Sequence, residues 1–164
     1  MNDASPAGTA TVRADLVGTG VFVVIAALAL IWRDERPAQV AMAVVSMVLF
    51  AIGAFTGLAA YVRALERSRI DEIGVANLFL LTGTTAPGSV KTTMSAALAV
   101  QVVVGLAGAI VGAVGLSGNE VNTLAFGILV PMFGIGLNGL WAVRCGRFSP
   151  RLDKPVQPSR RRID

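Results

Sequence analysis

The stretch AQVAMAVVSMVLFAIGAFTGLAAYV, residues 38–62, runs for 25 residues without a charge. As a helix it is about 37 Å long, enough to cross a hydrocarbon core roughly 30 Å thick with some tilt. It closes on Tyr61, Val62 and Arg63, an aromatic anchor followed by a cation that can reach the head-group layer. Residues 16–32, 92–116 and 121–143 form three more apolar runs of comparable length. Composition agrees: 54% of the residues are hydrophobic and 15% are charged, whereas soluble domains carry about a quarter charged residues. What lies outside the four runs is too short to bury a core of its own, which excludes a separate soluble catalytic domain.

The expected fold is an all-α membrane protein with four transmembrane helices arranged as two antiparallel hairpins. A helical extension and an interfacial segment join helices 2 and 3. Residues 1–14, rich in Ala, Ser, Thr, Gly and Pro, read as a disordered tail. Residues 15–147 form the membrane domain, and residues 148–164 form a basic, disordered C-terminal tail. Asp15 stands where a carboxylate can cap the first helix. The small residues around Ala27-Leu28-Ala29 resemble a signal-peptidase site, but the run continues to Trp32 and no basic region precedes it, so retention as a span is expected.

Between spans two and three, alternating charges from Arg63 to Glu72 extend helix 2 into water until Gly74. The seven residues Val75 to Leu81 are too few to cross and lie in the interface or beneath the bundle. Turn residues 82–88 follow, Ser89 is placed to cap the third helix, and Pro131 should kink the fourth. Arg63, Arg67, Arg69 and Lys91 flank one connection and Arg144, Arg147, Arg151 and Lys154 the C-terminal side, while the connection after span three has neither Lys nor Arg. The positive-inside rule then puts both termini in the cytoplasm, with Arg33 and Arg36 dissenting. Arg63, Arg144, Arg147 and the tail residues Arg160, Arg161 and Arg162 are the expected contacts to lipid head groups. The basic balance of +4 therefore points to anionic lipid and not to nucleic acid.

Between the expected span ends there is no Asp, Glu, Lys, Arg or His, which argues against the ionisable coupling residue of a pump. The chain has no His and one Cys, so metal-ligand spacing and a thiol pair both fail. Pro87 to Thr93 offers only the Lys-Thr end of a phosphate-binding loop, without its glycine cradle. Asp34-Glu35 and Asp71-Glu72 are sequence neighbours on the flanks and face no common pocket. No catalytic residue, cofactor or metal site is expected, and the chain does not read as an enzyme.

Gly105, Gly108, Gly112 and Gly115 fall at spacings of three, four and three, one stripe of helix 3, and Gly53 and Gly57 make a similar face in helix 2. Such stripes serve internal packing or dock another membrane protein or a second copy. Gln101 and Asn138 are the two intramembrane amides, at matching depths, and are expected to bond to each other or to line a polar site for a lipid or small ligand. Gly53, Val62 and Arg63 echo Gly134, Val143 and Arg144, a faint internal repeat.

The passages Arg67-Ser68-Arg69-Ile70-Asp71-Glu72-Ile73-Gly74-Val75-Ala76, Phe126-Gly127-Ile128-Leu129-Val130-Pro131 and Gly139-Leu140-Trp141-Ala142-Val143-Arg144 resemble uncharacterised four-span membrane proteins of high-GC Gram-positive bacteria. The resemblance covers roughly residues 16–151. It implies a bacterial cell membrane and no particular activity. The leading functional expectation is a non-catalytic accessory or scaffold subunit that packs against another membrane protein or a second copy. The alternatives are a small transporter or channel component for a neutral or lipid-like substrate, and a lipid-responsive anchor or sensor.

Overall fold

The computed structural model describes residues 6–114 and 122–150. Its elements are α1 (Pro6–Ile31), α2 (Arg36–Arg67), a two-residue strand β1 (Asp71–Glu72), a short α3 (Val75–Phe79), α4 (Gly88–Ala113), a 3-10 segment η1 (Thr123–Leu129), α5 (Pro131–Cys145) and β2 (Ser149–Pro150). Helices α1, α2 and α4, and η1 with α5, are long and apolar enough to cross a membrane, giving a multi-pass architecture of four spans.

The helices are turned inside out relative to a soluble bundle. In α1 the buried positions are Gly8, Thr11, Asp15, Gly18, Thr19, Phe22, Ala26 and Ala29, all but Phe22 small or polar and recurring along one face. Large side chains such as Val17, Val24 and Ile31 face outward. In lipid no hydrophobic force drives helices together, so small residues that allow close backbone approach hold the interfaces and bulky apolar ones meet the acyl chains.

Span four sits at the centre. Of its most apolar stretch 61% is buried, against 17% for α4, and α5 packs along α2 more extensively than any other pair of elements. Glycine makes this possible. A Cβ on Gly136 would meet Gly53 O and lie 2.6 Å from Thr56 Oγ1, and one on Gly53 would strike the backbone of Met132 and Phe133. On the other side of the span, a Cβ on Gly105 would lie 2.6 Å from Gly127 O.

The expected kink at Pro131 is a change of helix type. Residues 123–129 are 3-10, anchored by Asn122, whose side chain accepts from Ala125 N at 3.2 Å and donates to Ala109 O at 2.9 Å. Proline lacks an N–H and suits the first turn of a new α-helix, so α5 starts at Pro131 inside the bundle.

Several expectations are corrected. The N-terminal region reads as a tail in sequence, yet α1 begins at Pro6, because Gly8, Thr11 and Asp15 continue the buried stripe. Asp15 is consequently inside the helix and not its cap. Helix α2 stops at Arg67 instead of reaching Gly74: Asp71 and Glu72 pair antiparallel with Pro150 and Ser149. Pro87, not Ser89, precedes α4. The strand pairing also draws Ser149 and Pro150 out of the expected tail; residues 151–164, with Arg160, Arg161 and Arg162, lie outside the described residues, as does Gly115.

At this basic end Arg67 ties the chain together. Its guanidinium makes a 2.9 Å ion pair with Asp71, donates to Val143 O at 3.2 Å and lies 5.2 Å from the centre of the Phe148 ring. Helix α3 tucks beneath the bundle, with Leu78 and Leu81 buried. Leu81 holds a left-handed backbone, φ 52°, an uncommon conformation for a non-glycine residue.

Candidate functional site

Asp15 is fully buried, with 0% of its surface exposed, where α1 meets α4 and α5. The Gln101 side-chain amide from α4 joins the three elements there. Its Nε2 donates to Thr19 Oγ1 at 2.7 Å and to Asp15 Oδ1 at 3.3 Å, and its Oε1 accepts from Gly134 N at 3.2 Å. The orientation of that amide is determined by its neighbours. Gly134 N–H can only donate, so Oε1 must face it and the two amide hydrogens are left for Asp15 and Thr19.

Each partner is positioned by local sequence. Asp15 and Thr19 are four apart on α1 and share a face. Gly134 is the fourth residue of α5, at the end of its first turn, and its N–H is given to Gln101 Oε1. Because span four restarts at Pro131, this positive helix end lies within the bundle instead of at a membrane surface. Through Gln101 it is linked to the Asp15 carboxyl group. The absence of a side chain at Gly134 admits the amide: a Cβ there would lie 2.7 Å from Gln101 Oε1.

Depth follows from the basic anchors. Gln101 is ten residues from Lys91 and Gly134 ten residues from Arg144, in each case about 15 Å along the helix. Gly53, which packs against Phe133, is likewise ten residues from Arg63. The three markers agree on a level near the middle of a hydrocarbon core about 30 Å thick. Asp15 reaches that level through its contact with Gln101 and, with 18 residues or about 27 Å separating it from Arg33, enters from the basic side. Arg13, two residues earlier and on the opposite face of α1, is exposed.

No family model, curated protein or solved structure matches this chain.

The expected Gln101–Asn138 pair does not form. Asn138 Nδ2 donates to Phe79 O at 3.0 Å, so the second amide holds α3 against α5 at the basic end. The Phe79 ring fills the space beside Gly139, where a Cβ would lie 2.8 Å from it. Gln101 and Asn138 are both fully enclosed, but matching depth does not guarantee facing directions. Among the described residues two enclosed side-chain oxygens have no hydrogen-bond partner, Asp15 Oδ2 and Asn138 Oδ1.

The expectation that the spans hold no ionisable residue is also corrected, because the first span starts earlier than its apolar run and includes Asp15. The glycines are placed as internal packing: Gly53 and Gly57 against α5, and Gly105, Gly108 and Gly112 against residues of η1 and its cap. Of the expected head-group contacts, Arg63 and Arg144 are exposed at helix ends, and Arg147 donates its backbone N–H to Thr85 O at 3.1 Å. No cluster of three His, Cys, Asp or Glu side chains occurs among the described residues. An apolar recess of about 480 Å³ lies elsewhere, near the opposite end between α1 and α2, with Leu28, Trp32, Glu35 and Pro37 in its lining.

Proposed function

We propose that this chain is a small multi-pass membrane transport component whose working centre is the junction of Asp15, Thr19, Gln101 and the start of α5. One observation carries the reading: a carboxyl group fully enclosed among the spans, with one oxygen unpartnered. An ionisable side chain in a span costs about 2.5 to 3.5 kcal/mol on insertion scales, so such residues commonly line ion, proton or substrate pathways. The broken fourth span supports the same reading, since interrupted helices direct their positive ends at sites near the membrane centre. The positive-inside rule sets the basic end, with Arg63, Arg67, Arg69, Lys91, Arg144 and Arg147, in the cytoplasm.

The accessory-subunit reading draws its main support from glycine faces available for docking, and Gly53, Gly57, Gly105, Gly108 and Gly112 pack inside the chain. Flux through liposomes containing only this protein tests the transport reading. Vesicles should pass protons, Na+ or a small neutral solute faster than empty vesicles, and Asp15→Asn should remove the difference. Equal leakage from wild-type and empty vesicles under both polarities of membrane potential would refute it.

A further inference from the structure

We infer that the Asp15 carboxyl group is a proton-binding site, its proton carried on Oδ2 and exchanged as the protein works. This deepens the transport reading and rests on it for its purpose, although proton occupancy is measurable without any flux.

The geometry separates the two carboxyl oxygens. Oδ1 accepts from Gln101, and Oδ2 has no donor. Every neighbour that touches the group is neutral. Around it, α4 presents Gln101, with Lys91 ten residues away; α5 presents the Gly134 N–H, with Arg144 ten residues away; α1 itself adds Thr19, with Arg13 exposed on its other face. Helix α2 and the 3-10 segment η1, which also pack on α1, have no Asp, Glu, Lys, Arg or His between Arg36 and Arg63 or between Thr123 and Leu129.

The two states of the site therefore differ by one proton and by no rearranged ion pair. With Oδ2 protonated, the junction is neutral and an O–H donor replaces a bare acceptor. With Oδ2 free, the charge is opposed by the Gln101 amide and, through Oε1 and the Gly134 N–H, by the positive end of α5. A metal cation fits less well. Both Gln101 amide hydrogens already point at Asp15 and Thr19, and turning Oε1 toward a cation would set an NH2 against the Gly134 N–H.

The test is infrared difference spectroscopy of the full chain in lipid nanodiscs, with 13C-labelled aspartate, recorded from about pH 4 to pH 9. Wild type should show a protonated-carboxyl band, shielded from rapid solvent exchange, that appears and disappears with pH. Asp15→Asn should lose it. Asp15→Glu should keep a titrating band at a displaced frequency without the label, which guards against a misfolded Asn variant. Gln101→Leu should retain the band with a moved midpoint. No Asp15-dependent band at any pH would overturn the proposal, as would titration abolished by Na+ at fixed pH, the sign of a metal-cation site. A titrating Asp15 in a protein that passes nothing through vesicles would leave the proton site standing and remove the transport reading.

Discussion

Replacing Gln101 with Leu removes three hydrogen bonds at once, to Asp15, Thr19 and the Gly134 N–H. Side-chain hydrogen bonds between membrane helices average about 0.6 kcal/mol and reach about 1.7. Enclosed polar groups left without partners cost about 1 to 3 kcal/mol each. All three partners of Gln101 are enclosed in the bundle, so the expected loss is about 2 to 4 kcal/mol. The same geometry dictates the coupling. Combined with Asp15→Asn, Gln101→Leu should show an interaction energy of about 1 kcal/mol or more, because the two changes act on one bond. Combined with Asn138→Leu it should be additive to within about 0.5 kcal/mol, because Asn138 bonds to Phe79 O instead. The assay is reversible unfolding in mixed detergent and lipid, monitored by circular dichroism and by a tryptophan signal from Trp141. Strong coupling between Gln101 and Asn138, with none between Gln101 and Asp15, would refute the arrangement.

Other consequences follow from the packing. Gly136→Ala should destabilise by about 1 to 3 kcal/mol, the usual range for overpacking, since its Cβ would strike the backbone of Gly53; Gly20→Ala, with nothing within 4 Å of the new atom, should not destabilise in the same unfolding assay. Arg67→Ala should cost about 1 kcal/mol, because the ion pair to Asp71 is partly exposed and partly exposed pairs are weak. Its clearer readout is faster hydrogen exchange at residues 71–73 and 147–149, where β1 and β2 lose their clasp.

The spans were legible because long uncharged runs have one stable solvent, and the glycine stripes because close helix approach needs missing side chains. Less legible was anything that depends on which way a helix is turned. The sequence-based boundary of span one follows apolarity, and residues 6–14 are too polar and too small to register. A signal was nevertheless present: Gly8, Thr11, Asp15, Gly18, Phe22, Ala26 and Ala29 keep one helical period from tail to span. A small-and-polar stripe is the inward face of a membrane helix, so periodicity outperforms hydropathy at such a boundary. Gln101 and Asn138 illustrate the other limit. Depth can be counted from flanking cations, but the rotation of α4 and α5 is set by contacts of Gly105 with Gly127 and of Gly53 with Phe133. Those contacts join residues far apart in the chain.

Helix α1 is formed and packed from Pro6 onward, which carries Asp15 into the bundle. Hydrogen–deuterium exchange of the full chain in nanodiscs, resolved at residues 8–20, tests it directly. Amides around Asp15 should stay protected for as long as those around Phe22. Complete exchange of residues 8–15 within seconds, with protection starting only beyond Leu16, would contradict it.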